Sequence, residues 1–152
     1  MFQNTDFSNS IEKISYCPHS VSIKHLLTSD ALLLIVDESK ESEEIVPGKV
    51  YEYLGVGKPI IAIAPKKSAI SKLIDETKAG EVAHQTEIDK IADIILKFYV
   101  AWESMTQIVF PNQDLINSFE RRNAAKQLAD ILEELLLIQE AKLQQKYILS
   151  QI

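Results

Sequence analysis

The stretch Ala31-Leu32-Leu33-Leu34-Ile35-Val36 is a run of six apolar residues with no polar residue between them. A strand with one face toward solvent alternates apolar and polar residues, whereas a parallel strand covered on both faces is apolar throughout. A second run of this kind, Ile60 to Ala64, follows Pro59. Two such runs with a helical segment between them predict parallel strands of an α/β sheet that has helices on both faces.

Strand and helix patterns alternate along the rest of the chain. In the helical segments apolar residues recur every three or four positions, as on the buried face of an amphipathic helix. The predicted elements are a strand at 11–16, a helix at 20–29 with Ser20 as its N-cap, a strand at 31–36, a helix at 49–54, a strand at 60–64, a helix at 68–77 ended by Gly80, a marginal strand at 81–84, a helix at 88–102, a connector at 105–118 and a helix from Phe119 to about Gln145. This order predicts a three-layer, Rossmann-like fold with a mostly parallel sheet.

Three segments are expected along the chain. Residues 1–10 form a disordered or linker leader, residues 11–118 form the Rossmann-like domain, and residues 119–152 form a long helix that packs on the domain or on a partner. The apolar stripe of that helix consists of Leu128, Ile131, Leu132, Leu135 and Ile138. Because an exposed stripe of this kind usually marks an interface, we expect a homodimer through the residues after Leu128.

The composition limits the partners and the compartment. A formal net charge of −6 argues against nucleic acids and anionic membranes, which bind basic surfaces. No apolar run approaches the roughly 20 residues of a membrane-spanning helix. Cys17 is the only cysteine, and residues 1–10 lack the pattern of a secretory signal. We therefore expect a cytoplasmic protein without a transmembrane segment.

The helix start after the first apolar strand is the expected binding site, because ligands of open α/β sheets bind beyond the carboxyl ends of the strands. Pro47 suits the first helical position, and Gly48 lets a ligand approach the amides of the first turn. Lys49 can contact an anion, and Glu52 on the same helical face can accept hydrogen bonds from two sugar hydroxyls. The pattern indicates a nucleotide diphosphate site. Alternatively, Lys49 and Glu52 form an exposed surface pair and the glycines only delimit the helix.

Other chemistry has little support in the sequence. His19, His25 and His84 have no metal-ligand spacing, and no serine lies in a nucleophile elbow. Asp37 after a buried strand is similar to the phosphoacceptor of a receiver domain, but the candidate lysine, Lys58, precedes a strand instead of following one. We therefore assign no catalytic residue, no metal and no cofactor.

The segment Pro-Gly-Lys-Val-Tyr-Glu-Tyr-Leu-Gly-Val-Gly-Lys-Pro-Ile-Ile-Ala, residues 47–62, resembles the donor-binding segment of GT-B fold glycosyltransferases of family 4, the retaining group 1 enzymes. The similarity extends over roughly residues 12 to 135, with Tyr16-Cys17-Pro18-His19 before the segment and Phe119-Glu120-Arg121-Arg122 after it. The resemblance implies the C-terminal, donor-nucleotide-binding part of a metal-independent transferase. Its donor would be a nucleotide-diphosphate sugar.

The resemblance also implies roles for residues of the 47–62 segment. Glu52 matches the glutamate that holds the ribose hydroxyls of the donor nucleotide. Gly48 and Lys49 match the turn whose amides face the donor diphosphate.

Further residues to which the resemblance gives a role lie outside that segment. Pro18 and His19, with Cys17, fall where backbone groups of the family meet the nucleobase. Glu44 stands at the position of the acidic residue that contacts the donor sugar, although Ile45 replaces the glycine usual beside it.

The catalytic cleft of this family lies between two Rossmann-like domains, and this chain has room for one of them. We therefore expect an incomplete GT-B donor domain, either a piece of a longer enzyme or a separate short chain. It would need a missing N-terminal acceptor domain or a partner chain, and would be inactive alone. In the alternative interpretation, the chain is a non-catalytic α/β scaffold or assembly module that dimerises through its C-terminal helix.

Overall fold

A computed structural model describes residues 10–38 and 44–149. In chain order its elements are α1 (His19–Thr28), β1 (Leu32–Ile35), α2 (Gly48–Val56), β2 (Ile60–Ile63), α3 (Ala69–Thr77), β3 (Gly80–Ala83), α4 (Ile88–Glu103), α5 (Gln113–Ser118) and α6 (Arg121–Leu149). Apart from Ser10, the expected leader lies outside the described residues.

The three strands form one parallel sheet in the order β1-β2-β3. Leu32 of β1 lies beside Ile60 of β2, which lies beside Gly80 of β3. Helix α2 connects β1 to β2, and α3 connects β2 to β3. The expected α/β, Rossmann-like architecture with a long C-terminal helix is confirmed.

Each face of the sheet carries a hydrophobic core, because side chains alternate between the two faces along a strand. The larger core brings strand residues together with α2, α3 and α5, and its members include Ile60, Ala62, Val50, Ile70, Ile74 and Ile116. The smaller core on the opposite face brings α4 onto the sheet, and comprises Ala83, Ile94 and Phe98 with Ile61 packed against them. Helices therefore cover both faces, with α4 on one and α2, α3 and α5 on the other.

Strand β1 departs from the sequence prediction, which placed it between two covered faces. Leu32 and Leu34 are buried, but Leu33 is 53% exposed and Ile35 is 64% exposed. β1 is an edge strand, and α4 packs on β2 and β3. The side of β1 that faces away from the larger core therefore lies open in the described part of the chain.

The strand predicted at 11–16 is wrong. These residues form neither a strand nor a helix, and Ile11, Ile14 and Tyr16 are exposed. A strand gains its stability from backbone pairing and from burial of one face, and this segment has neither among the described residues.

Two helix starts differ from the predictions by one or two residues. Helix α1 begins at His19 with Pro18 as its N-cap, so Ser20 is not the cap. Helix α2 begins at Gly48 with Pro47 as its N-cap, so Pro47 precedes the first helical position. Gly57, at φ 72° in the left-handed region, caps the other end of α2, a conformation that glycine adopts at little cost.

Gly80 has a different role from the helix stop predicted for it. Lys78 in the left-handed region caps α3, and Gly80 is the first residue of β3. A Cβ at this position would lie 1.8 Å from the Ile60 carbonyl oxygen of β2. Glycine is therefore required here because the two backbones approach closely.

The connector predicted at 105–118 contains helix α5. The Asn112 side chain caps it by accepting a hydrogen bond from the Leu115 amide at 3.2 Å. Ile116 of α5 enters the larger core, which the loop prediction had missed. The long final helix runs from Arg121 to Leu149 instead of from 119 to about 145.

No helix in the described part of the chain has the length and hydropathy needed to cross a membrane.

Candidate functional site

The topology brings the starts of two helices to the same edge of the sheet. Helix α2 leaves the carboxyl end of β1 and returns the chain to the amino end of β2, so its N-terminus lies at the carboxyl edge. Helix α1 ends shortly before the amino end of β1, so its N-terminus lies at the carboxyl edge as well. The two helices contact one another. This is the edge at which open α/β sheets bind ligands.

The N-terminus of α2 has no side-chain cap. Its N-cap, Pro47, offers no side-chain acceptor, and the Pro47 carbonyl accepts a hydrogen bond from the Val50 amide at 3.0 Å. The amides of Gly48 and Lys49 belong to the first turn, which has no acceptor within the helix. Apart from Gly48 itself, its two chain neighbours and the nearby backbone of α2, no described heavy atom lies within 4 Å of where a Gly48 Cβ would stand. An anion therefore has open access to a helix N-terminus, whose dipole favours it by about 0.3–1 kcal/mol.

Glu52 and His19 meet at this edge. The Nε2 atom of His19 lies 3.0 Å from Oε1 of Glu52, although 33 positions separate the two residues in sequence. Their side chains are 73% and 40% exposed, respectively, so both can reach a ligand. The contact occupies one carboxylate oxygen of Glu52 and leaves Oε2 for other donors.

The side chain of Lys49 lies over the Tyr53 ring. Its Nζ lies 5.3 Å from the centre of the Tyr53 ring, in a cation–π contact. The alternative interpretation of Lys49 and Glu52 as a surface ion pair therefore does not describe this geometry, since Glu52 pairs with His19 instead.

The other predicted site residues are placed less favourably. The Pro18 carbonyl accepts hydrogen bonds from the amides of Val21 and Ser22, at 2.9 and 3.1 Å, so helix α1 already uses this acceptor. Glu44 lies exposed in the turn before α2, and within residues 10–38 and 44–149 no hydrogen bond or ion pair joins it to Glu52.

A groove joins this edge to the start of α6. It has a volume of about 700 Å³, and Gly48 and Glu52 line it together with Arg121. Tyr51 and Phe119 also line it, and their ring centres lie 5.6 Å apart. Among the described residues of the lining Arg121 is the basic one, beside the acidic Glu120, and its planar guanidinium suits phosphate oxygens. The sequence assigned Arg121 no role in the site; its signal was a place in the segment Phe119-Glu120-Arg121-Arg122, which resembles the start of the family's closing helix.

A second polar cluster follows the ends of β1, β2 and β3. The Glu38 carboxylate accepts a hydrogen bond from Gln85 Nε2 at 2.8 Å and lies 3.4 Å from Nε2 of His84. The Thr86 amide donates to Nδ1 of His84 at 3.3 Å, and the Thr86 hydroxyl oxygen lies 2.8 Å from the same nitrogen. His84 therefore lies in the loop after β3, where these contacts tie it to the sheet edge.

Lys66 and Glu87 complete this cluster. Lys66 Nζ lies 2.7 Å from one carboxylate oxygen of Glu87, and the His84 amide donates to the other oxygen at 2.9 Å. The hydrogen bond from Lys66, and then that from the His84 backbone, lower the pKa of Glu87 from 4.5 to about 2. These contacts hold the loop after β3 to the loop after β2.

An apolar cavity of about 480 Å³ lies at the opposite end of the sheet. Its walls include Ala31 and Pro59, which precede β1 and β2, and the rings of Phe98, Tyr99 and Trp102. The sequence did not predict it. A lining of this kind offers few of the donors that an anionic ligand needs, so the carboxyl edge remains the better candidate site.

Among the described residues, no group of three or more histidine, cysteine, aspartate or glutamate side chains is arranged to hold a metal ion. Around the start of α2, the donors available to an anion among the described residues are the first-turn amides, His19 and, along the groove, Arg121.

Comparisons of the chain with protein-family models, with curated proteins and with solved structures give no match.

Proposed function

We propose that this chain binds the nucleotide-diphosphate part of a sugar donor, as the donor-binding portion of a glycosyltransferase. The first-turn amides of α2, at Gly48 and Lys49, hold a phosphate. Glu52 accepts hydrogen bonds from the ribose hydroxyls, and His19 fixes the Glu52 carboxylate.

The contact between His19 and Glu52 is the observation that carries the proposal. The family resemblance places His19 near the nucleobase and Glu52 near the ribose hydroxyls. The contact joins these two segments, which are distant in sequence. The joined pair stands one helical turn from the uncapped start of α2. A carboxylate and a set of free amides at that separation match the hydroxyls and phosphates of one nucleotide.

Arg121 extends the site toward the second phosphate. It lines the same groove as Gly48 and Glu52. It takes the place of the phosphate contact expected from the Lys49 side chain, because that side chain lies over the Tyr53 ring. With amides and a guanidinium as donors, binding of the diphosphate would need no metal ion. The formal charge of −6 makes these local donors necessary, because the whole molecule repels an anion.

Sugar transfer would require a second domain or partner chain that carries the acceptor. The site described here has donors for a nucleotide but no group identified as an acid, base or nucleophile. We propose the cytoplasm as the compartment, since Cys17 is a free thiol and calls for no oxidising environment.

Calorimetric titration with uridine and guanosine diphosphate tests this function. We expect weak binding that Glu52→Gln reduces tenfold or more, through the loss of charged hydrogen bonds worth about 1.5–3 kcal/mol. Glu76→Gln is the matched control, because Glu76 is an exposed glutamate on α3 that pairs with Lys72. Equal weakening by both variants, or no binding by the wild type, would refute the proposal.

A further inference from the structure

Helix α6 carries apolar side chains that nothing in the described part of the chain covers. It is 29 residues long, and among the other helices it contacts α5. Between Arg121 and Lys146, where its side chains are described, its large apolar side chains are between 44% and 67% exposed, and they are Leu128, Ile131, Leu132, Leu135, Leu136, Leu137, Ile138 and Leu143. An apolar patch of this extent on a surface helix marks an interaction site.

The spacing of these residues selects a helical partner. Ala124, Leu128, Ile131, Leu135 and Ile138 follow one another at intervals of four and three residues. This is the a and d pattern of a coiled coil, with Leu128 and Leu135 at a and Ala124, Ile131 and Ile138 at d. A second helix with the same spacing fills this seam by knobs-into-holes packing. Another copy of α6 is one such helix.

The charges around the seam argue against a membrane surface as the occupant. Between residues 128 and 141 the helix carries Asp130, Glu133, Glu134 and Glu140 and no basic residue. Helices that lie on anionic lipid carry lysine and arginine beside their apolar face. The carboxylates lie outside the a and d positions, where they remain in water when two helices pack.

The residues that continue the seam decide the orientation. Arg121 and Lys142 both fall at a positions, one at each end of the apolar stretch. In a parallel, in-register pair, the residue at each a position faces the same residue of the other copy. Arg121 would then face Arg121, and Lys142 would face Lys142, so like charges would meet at both ends. In an antiparallel pair, residues at a positions face residues at d positions. The d positions are Ala124, Ile131, Ile138 and Gln145. None of these is charged.

We propose that two copies of this chain associate through an antiparallel pair of α6 helices, with the seam from Ala124 to Ile138. The interface is separate from the donor site, and the proposal holds whether or not the chain binds a nucleotide. In it, Leu136 and Leu137 lie outside the seam, because they occupy the b and c positions.

Sedimentation equilibrium of the full chain tests the seam. The wild type is expected to be a dimer at micromolar concentration, and Leu135→Glu is expected to raise the dissociation constant roughly 30-fold or more. Leu137→Glu is the matched control: it places the same charge two positions along, on a side chain that is 67% exposed where Leu135 is 56% exposed, and is expected to change the constant less than about threefold. Both side chains are on the surface, so neither variant should unfold the domain. A monomeric wild type, or equal effects of the two variants, would overturn the proposal.

Disulfide cross-linking tests the orientation, in chains that also carry Cys17→Ser. Antiparallel packing predicts cross-links when Leu128→Cys or Leu135→Cys chains are mixed with Ile131→Cys chains. Efficient cross-linking of Leu135→Cys with itself, and none in the mixtures, would instead show a parallel pair and overturn the assigned orientation.

Discussion

The imidazole Nε2 of His19 lies 3.0 Å from Oε1 of Glu52, and this contact ties the start of α1 to the second turn of α2. Both helices start at the carboxyl edge of the sheet, so the pair stands where the fold favours ligand binding. The contact fixes one oxygen of the carboxylate and directs the other outward. His19 therefore acts as a positioning residue for Glu52.

Removal of the imidazole should weaken nucleotide binding. We expect His19→Ala to raise the dissociation constant for a nucleoside diphosphate roughly threefold to tenfold, the effect of one hydrogen bond. Titration calorimetry measures it. His25→Ala is the control, because His25 lies on α1 and is exposed. If His19→Ala tightens binding, the imidazole competes with the ligand for Glu52 and does not position it.

The chain alone should transfer no sugar. Positioning of donor and acceptor accounts for roughly 7–11 kcal/mol of a two-substrate barrier, and the site proposed here would hold the donor only. The measurement is release of nucleoside diphosphate from a panel of nucleotide sugars, with and without acceptor sugars. Turnover that Glu52→Gln abolishes would contradict the prediction and would mean that the chain assembles a complete cleft by itself.

Gly80→Ala should destabilise the fold. The new methyl group would lie 1.8 Å from the Ile60 carbonyl oxygen, so β2 and β3 must separate. Overpacking of this kind costs about 1–3 kcal/mol or more. The control is Gly55→Ala, because a Cβ at Gly55 meets no atom within 4 Å and α2 should gain about 0.5–1 kcal/mol. Urea unfolding compares the two, and equal stability of both variants would refute the role given to Gly80.

Glu87 should make the stability depend on pH in the acid range. Its pKa is lowered from 4.5 to about 2 by Lys66 and the His84 amide, so the ionised carboxylate stabilises the folded state. This stabilisation is fully present above pH 4.5 and is lost as the pH falls toward 2. Urea unfolding of Glu87→Gln should therefore show a deficit relative to wild type that shrinks across this range.

The control for that experiment is Glu76→Gln, which removes a surface pair with Lys72 on α3. It should leave the shape of the acid dependence unchanged. A Glu87→Gln deficit that stays constant between pH 5 and pH 2 would show that the Lys66 contact adds nothing to stability.

The fold was predictable where a pattern of adjacent residues determines the structure. The apolar runs at 31–36 and 60–64 became β1 and β2, and the spacing over 88–102 became α4. The strand prediction for residues 11–16 was wrong because a strand needs a neighbouring strand to pair with, and an apolar pattern does not supply one. Helix α5 was missed because six residues are too few for a periodic signal, although Asn112 is a favourable N-cap.

The site was predictable in part for the same reason. Gly48 and Glu52 share a helical face, which spacing alone predicts. The contact of Glu52 with His19, and the place of Arg121 in the same groove as Glu52, depend on how helices α1, α2 and α6 pack. A local sequence pattern therefore cannot predict them. The direction of the Lys49 side chain follows from the position of the Tyr53 ring, which is likewise a matter of packing.

Amide chemical shifts during a titration with uridine diphosphate test the donor-site assignment most directly. The account predicts that the largest shifts fall on the Gly48 and Lys49 amides, with smaller ones at His19 and Glu52. Pyrophosphate alone should shift Gly48 and Lys49 and leave His19 unchanged, because it lacks the ribose that engages Glu52. Shifts confined to the cavity around Trp102, or none at Gly48 and Lys49, would contradict the account.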